Sequence, residues 1–160
     1  MHYDVTVIGA GPAGCMAARV LSDYGFKVLL LEREALPRDK PCGGFISPEA
    51  AGLVTERFGP IPDGCLLGPG RILGARLLCE GGGDYELPFS AAGLGVSRSR
   101  LDSWLAANCG AEVRDGCEVE EVEVARFHVR TRYRTAGGAE AAESTYLVGA
   151  DGADSLVLRQ

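Results

Sequence analysis

A glycine-rich turn between a hydrophobic strand and a helical segment most constrains the fold of this 160-residue chain. Residues 3–8 are rich in β-branched side chains, and Gly9-Ala10-Gly11-Pro12-Ala13-Gly14 follows them directly as a GxGxxG sequence. Residues 12–24 then predict a helix that is closed by Gly25. A second apolar run at residues 28–31 completes a βαβ unit of about 30 residues, which predicts parallel strands.

The glycines of this turn have separate physical roles. Gly9 permits the sharp turn from strand to helix, Gly11 lets the backbone approach a diphosphate, and Gly14 lets the helix pack on the strand. Phosphates are attracted by the amides and the dipole at the helix N-terminus. Glu32, 18 residues after Gly14, can accept hydrogen bonds from both hydroxyls of an adenosine ribose. Its carboxylate would repel the 2′-phosphate of NADP, so this unit predicts FAD or NAD without separating the two.

The overall composition excludes several classes of protein. With 22 acidic against 16 basic residues and a net charge of −6, the chain lacks the electrostatic footprint of a nucleic-acid binder. No apolar stretch approaches the roughly 18 to 20 residues of a transmembrane helix, and the N-terminus lacks the basic region of a secretory signal. The six cysteines form no CxxC pair and no cluster with histidine, which predicts no metal site and free thiols in a cytoplasmic protein.

Residues 35–110 are expected to form a loop, two helices and a hairpin. Pro37 to Gly44 is a loop by its prolines and glycines, and Ser47 caps a helix that runs to about Phe58. The expected elements that follow are a loop at 59–70, hairpin strands at 71–79 and 84–89, and a helix at 97–106. Arg98 and Arg100 at the start of this helix run against the dipole preference for acids. They either bind an anionic ligand such as a diphosphate or are solvated, and spacing alone does not separate the two.

The last 50 residues predict a β-meander. Strand patterns occur at residues 111–114, 117–125, 127–135 and 144–150, with a hairpin turn at Gly137-Gly138. A basic stripe alternates with apolar residues along the third strand, which indicates a solvated sheet face, with a phosphate-binding strip as the alternative; it consists of His128, Arg130, Arg132 and Arg134. The final strand runs into an Asp-Gly turn at residues 151–152, and a helix is expected to start with Ser155.

Together these motifs resemble the flavoprotein superfamily that contains geranylgeranyl reductases and aromatic (p-hydroxybenzoate hydroxylase-like) hydroxylases. The resemblance rests on residues 9–14 with Glu32-Arg33, on Arg98 four residues before Asp102, and on Gly149-Ala150-Asp151-Gly152 with Ser155. The resemblance favours FAD over NAD.

The implied fold is α/β: a single Rossmann-like FAD-binding domain over 1–160, with a parallel central sheet and an added antiparallel β-hairpin and meander. It is incomplete relative to the family, because the later Gly-Asp motif and the substrate domain are absent. Arg159 follows Ser155 by four residues, where the family more often has three.

The resemblance also implies a set of cofactor-binding residues and no catalytic or metal-binding side chain. The diphosphate would lie on the GxGxxG turn, the adenosine on the acid and arginine after the second strand, and the flavin ring beside the Cys-Gly-Gly loop. The implied residues are Gly9, Ala10, Gly11, Pro12, Ala13, Gly14, Asp151 and Gly152 near the diphosphate, Glu32 and Arg33 at the adenosine, Val119 near adenine by position only, Arg98 near the diphosphate and ribityl chain, and Cys42 and Gly43 beside the isoalloxazine.

Residues 41–48, with Cys42-Gly43-Gly44, resemble the Lys-Pro-Cys-Gly-Gly segment of geranylgeranyl reductases. The expected function is therefore the N-terminal part of an FAD-dependent oxidoreductase that reduces isoprenoid-like C=C bonds. NADPH or NADH would be its electron donor, and a small hydrophobic molecule its substrate. The expected location is cytoplasmic, with peripheral membrane association through a lipid substrate. An FAD-dependent monooxygenase and a catalytically incomplete dinucleotide-binding module stay open as alternatives.

Overall fold

The computed structural model describes residues 2–159, without the side chain of Pro69. It contains two compact units. The first unit comprises the residues up to Arg38 and those from Asp102 onward, and the second comprises residues 39–101. In chain order the elements are β1 (His2–Ile8), α1 (Pro12–Asp23), β2 (Val28–Leu31), β3 (Phe45–Ile46), α2 (Pro48–Phe58), β4 (Leu66–Leu77), β5 (Tyr85–Val96), α3 (Arg98–Asn108), β6 (Glu112–Arg114), β7 (Glu118–Val124), β8 (Val129–Thr135) and β9 (Gly138–Gly149).

The first unit is built on a six-stranded sheet with the order β6-β2-β1-β9-β8-β7. Its β6, β2, β1 and β9 are parallel neighbours, while β8 and β7 continue the sheet antiparallel. All four residues of β2 are buried, as is typical of a parallel strand covered on both faces. The expected parallel sheet with an antiparallel meander is therefore confirmed.

A buried cluster on this sheet holds the strands together. It contains Tyr3, Leu29, Leu31, Cys117, Tyr133 and Ala142, and Val119 packs against it. The Arg114 guanidinium contacts two members of this cluster, donating to the hydroxyls of Tyr133 at 2.6 Å and Tyr3 at 3.0 Å, and it also donates to Glu112 at 2.7 Å. Burial, as the largest cause, raises the pKa of both tyrosines. These hydroxyls therefore act as hydrogen-bonding groups that link β6 to β1 and β8.

The second unit is a three-stranded antiparallel sheet, in the order β3-β5-β4, with α2. The expected cap of α2 is confirmed, because the Ala50 amide donates to Ser47 Oγ at 3.2 Å and Pro48 occupies the first turn. The expected loop over 59–70 is wrong in its second half: a 3-10 turn at Asp63–Cys65 leads directly into β4 at Leu66. Gly68 and Gly70 adopt φ of +57° and +72° there, and the strand register shifts between Leu66 and Arg71.

The meander also differs from expectation at two places. β9 begins at Gly138, the second residue of the expected hairpin turn, rather than at residue 144. Where a helix was expected to start at Ser155, the described residues form only a 3-10 turn at Val157–Arg159. No helix within residues 2–159 is both long and apolar enough to cross a membrane.

Two arginines of the basic stripe on β8 pair with glutamates of β7. Arg132 pairs with Glu121 and Glu123, and Arg134 pairs with Glu118 and Glu120. These side chains are about half exposed, so the ladder is a solvated sheet face, and a strip that binds phosphate through Arg132 and Arg134 is not supported.

Candidate cofactor-binding site

The glycine turn after β1 is packed so closely that two of its positions exclude a side chain. Gly9 has φ of +99°, and a Cβ there would lie 2.5 Å from the Ala150 carbonyl oxygen. A Cβ on Gly14 would overlap the Gly9 carbonyl oxygen. At Gly11, in contrast, a Cβ would meet no atom within 4 Å. Gly9 and Gly14 thus allow the strand, turn and helix to pack, while Gly11 borders open space.

The first turn of α1 offers its backbone amides without a capping side chain. Gly11 is the N-cap residue and makes no side-chain cap hydrogen bond, and Pro12 stands at the first helical position. The turn carries no acidic side chain. The first amides of a helix have no partner within the helix itself, and they carry the positive end of its dipole. This helix start is therefore suited to bind an anionic group.

Glu32 directly follows β2 and lies beside the same turn. The residue is 5% exposed, and its Oε2 accepts a 2.8 Å hydrogen bond from the Ala10 amide. Its Oε1 accepts a 3.2 Å hydrogen bond from the Glu34 amide. Because the parallel pairing of β1 with β2 aligns their carboxyl ends, the predicted acid and the predicted glycine turn come together.

Two further buried charges accompany Glu32. Arg38 is 7% exposed, and its Nε lies 3.4 Å from Glu32 Oε1. Its Nη2 lies 3.2 Å from Oδ2 of Asp102, a fully buried residue of α3. This role leaves no signal in the sequence, because Arg38 stands in a loop rich in proline and glycine, where no periodicity indicates burial. In the sequence, Asp102 is distinguished only by its spacing of four residues after Arg98.

Asp151 closes the turn that follows β9. Its carboxylate accepts hydrogen bonds from Ser155 Oγ at 2.7 Å, from the Leu156 amide at 2.6 Å and from the Val157 amide at 3.3 Å. Burial acts to raise the pKa of Asp151, but these hydrogen bonds outweigh it and lower the pKa. The Ala150 amide donates to the Ile8 carbonyl at 2.8 Å, so this turn lies next to the glycine turn.

The other predicted site residues lie in different surroundings. Arg33 is exposed, 3.6 Å from the carboxylate of Glu34, and Val119 packs against the buried cluster of the sheet.

In the second unit, Cys42 is exposed and its Sγ accepts a 3.4 Å hydrogen bond from the Gly44 amide. Gly43 neighbours it with open space at its Cα, and Arg98 opens α3.

The groups that the site presents are suited to binding an anionic ligand. Burial raises the pKa of the Cys15 thiol in α1 well above its ordinary value, which disfavours the nucleophilic thiolate. Within residues 2–159, no three His, Cys, Asp or Glu side chains are grouped as a metal site would require. Open space at Gly11, an uncapped helix start and a buried carboxylate fit the diphosphate and ribose of a dinucleotide.

Comparison with known proteins agrees with this geometry. A family described as an FAD binding domain matches residues 2–57. The geranylgeranyl diphosphate reductase of Rhodobacter capsulatus is 36% identical over 98% of this chain and 39% of its own length. An uncharacterized protein encoded in the nifH2 5′ region of Methanosarcina barkeri is 33% identical, over 98% of this chain and 86% of that protein.

A solved structure extends the similarity to hydroxylases. OxyS anhydrotetracycline hydroxylase from Streptomyces rimosus superposes with a TM-score of 0.78 at 28% identity, covering 99% of this chain and 33% of the hydroxylase. The chain thus spans about 39% of the Rhodobacter reductase and a third of the hydroxylase. The expected FAD-binding fold is confirmed, and the chain belongs to the FAD-binding flavoprotein superfamily that contains the geranylgeranyl reductases and the aromatic hydroxylases.

Proposed function

We propose that the chain is the FAD-binding part of a flavin-dependent oxidoreductase and that its first unit holds the ADP half of FAD. The observation that carries the proposal is the hydrogen bond between the Ala10 amide and Glu32. It fixes an acid suited to ribose hydroxyls beside a helix start suited to a diphosphate. Both features belong to the first unit, so the proposal requires no residue of the second.

In this proposal the backbone of residues 9–14 approaches the diphosphate, with Gly11 as the position of closest approach. Glu32 accepts hydrogen bonds from the adenosine ribose. The Asp151 carboxylate accepts hydrogen bonds from Ser155 and two backbone amides, so we assign to Asp151 the role of shaping the turn near the diphosphate. The backbone of Gly152 would approach the diphosphate itself. The other roles remain predictions from the resemblance. They place Arg33 and Val119 at the adenosine, Arg98 at the diphosphate and ribityl chain, and Cys42 and Gly43 at the isoalloxazine.

The reaction we propose is the reduction of a C=C bond in a hydrophobic, isoprenoid-like substrate, with NADPH or NADH as electron donor. Bound FAD would supply the hydride chemistry. The residues of this chain would bind and orient the cofactor, and we assign no proton transfer to any of them. Similarity to the Rhodobacter geranylgeranyl diphosphate reductase supports this substrate class. The six free cysteines support a reducing, cytoplasmic location, and a lipid substrate would bring the protein to a membrane surface.

A monooxygenase is the second candidate, and the similarity to the anhydrotetracycline hydroxylase favours it. Oxygen dependence separates the two reactions. The FAD-loaded chain is supplied with NADPH and either a geranylgeranyl compound or an aromatic one, with and without oxygen. A reductase consumes NADPH without oxygen and saturates the isoprenoid, whereas a monooxygenase requires oxygen and hydroxylates its substrate. Binding of FAD without either turnover would support the third reading, a catalytically incomplete binding module.

A further inference from the structure

In the first unit a buried arginine lies between two buried carboxylates, and the proposed cofactor contacts do not involve this arginine. Arg38 is 7% exposed, Glu32 is 5% exposed and Asp102 is fully buried. The guanidinium lies 3.4 Å from Glu32 through Nε and 3.2 Å from Asp102 through Nη2. Two negative charges and one positive charge therefore share a site that is largely closed to water.

Stability is a weak explanation for such a cluster. Burying charged groups is costly, and replacing a buried ion pair by packed apolar side chains is often neutral or stabilising. Here, in addition, Nη1 of Arg38 is buried without a hydrogen-bond partner among the described residues. An unpaired buried donor adds a further cost. The arrangement is better explained by the geometry it imposes on a neighbour.

That neighbour is Glu32, whose carboxylate is held at three points. Oε2 accepts from the Ala10 amide, and Oε1 accepts from the Glu34 amide and faces Arg38 Nε. The planar guanidinium has fixed N–H directions, so it restricts the orientation of a carboxylate more than an ammonium would. Asp102 faces the other end of the same guanidinium and ties it to α3.

We infer that Arg38, anchored by Asp102, is a positioning residue that fixes the Glu32 carboxylate for recognition of the adenosine ribose hydroxyls. The inference rests on the proposed binding of the ADP half of FAD in the first unit. Arg38 acts through Glu32, and its Nη1 is too buried to contact a ligand. Its effect therefore falls on the discrimination between ribose and deoxyribose rather than on attraction of the diphosphate.

The test measures binding of ADP and of 2′-deoxy-ADP to the full chain by calorimetry. For the native sequence we expect ADP to bind about tenfold more tightly, as expected for one hydrogen bond to a charged group. In the double variant Arg38→Met/Asp102→Leu, which replaces the buried pair by apolar side chains, we expect this ratio to fall to about twofold or less. Arg132→Met is the control: Arg132 belongs to the exposed ion pairs between β7 and β8, so this variant should keep the native ratio.

Thermal unfolding and circular dichroism establish that each variant is folded. Arg38→Lys provides a second route should the double variant not fold, because it retains the charge but loses the planar fork. We expect it to lower the ratio as well. A folded double variant or a folded Arg38→Lys variant with the native ratio would overturn the inference. A native chain that binds ADP and 2′-deoxy-ADP equally would instead contradict the proposed role of Glu32, and a native chain that binds neither would contradict the proposed function.

Discussion

The Ala10 amide and the Glu32 carboxylate, 22 residues apart in sequence, are joined by a 2.8 Å hydrogen bond. This contact links the turn after β1 to the end of β2, because the two strands are parallel neighbours. It places the acid at the start of α1, where the helix amides lack a capping side chain. The site is thus built from the backbone of one strand end and the side chain of the next.

Replacement by alanine is expected to lower protein stability at Gly14 and to weaken FAD binding at Gly11. Gly14→Ala places a Cβ onto the Gly9 carbonyl oxygen and should lower the free energy of unfolding by about 3 kcal/mol or more. Gly11→Ala meets open space at φ of −74°, so it should change stability by less than about 1 kcal/mol.

The measurements are urea denaturation and FAD titration. If Gly11 borders the diphosphate, Gly11→Ala should weaken FAD binding about tenfold or more while the protein stays folded. Equal FAD affinity in Gly11→Ala and the native chain would remove Gly11 from the site.

Replacement of Glu32 is expected to reduce FAD affinity. Glu32→Ala leaves the ribose hydroxyls without their acceptor, which should cost about 1 to 3 kcal/mol of binding free energy. Glu34→Ala is the matched control, because Glu34 is exposed and contributes only its backbone amide to Glu32. Fluorescence titration with FAD measures both, and an unchanged affinity in Glu32→Ala would refute the assignment.

Asp151 is expected to stabilise the fold in a pH-dependent way. Its pKa is lowered from the ordinary value of 3.8, since its hydrogen bonds outweigh the effect of burial. Its contribution is therefore fully present above about pH 3.8 and is lost as pH falls through the folded-state pKa. Asp151→Asn should lower the free energy of unfolding by about 1 kcal/mol at pH 7 and by less below about pH 3.8.

Urea denaturation at pH 7, 5 and 3.5 tests this expectation. Asp154→Asn, three residues along and exposed, serves as the control and should have little effect at any pH. A destabilisation by Asp151→Asn that is equal at all three pH values would show that ionisation of Asp151 does not matter.

The cysteines are expected to fall into two classes of reactivity. Cys42 and Cys79 are exposed, whereas Cys15, Cys65, Cys109 and Cys117 are buried and burial raises the pKa of each. Mass spectrometry after brief alkylation of the native chain should find the label at the two exposed thiols.

The same experiment tests the predicted place of the flavin ring. If Cys42 lies beside the isoalloxazine, saturating FAD should slow its alkylation several-fold and leave Cys79 unchanged. Equal alkylation of Cys42 with and without FAD would argue against that placement.

The sequence was most informative where local geometry alone decides the structure. The strand, glycine turn, helix and acid over residues 3–32 are recognisable because each position has its own steric or electrostatic requirement. The start of β4 at Leu66 was missed because Gly68 and Gly70 mimic a loop while they form an irregularity within a strand. The first half of β9 was missed because its alanines have low strand propensity and form a strand by pairing with β8.

The buried charges of the site lay beyond what the sequence could predict. Arg38 stands among prolines and charged residues, which predict an exposed loop, and its burial depends on Asp102, 64 positions later. Such a contact is set by tertiary packing and leaves no periodic pattern. The neutralisation of Arg132 by Glu121 and Glu123 likewise required the register between β7 and β8.

A visible absorption spectrum of the purified 160-residue chain, followed by release and identification of the bound cofactor, tests the central claim most directly. The account predicts a yellow protein that releases FAD, or a colourless one that takes up added FAD and prefers it to FMN and NAD. A colourless protein that binds NAD and not FAD would contradict it.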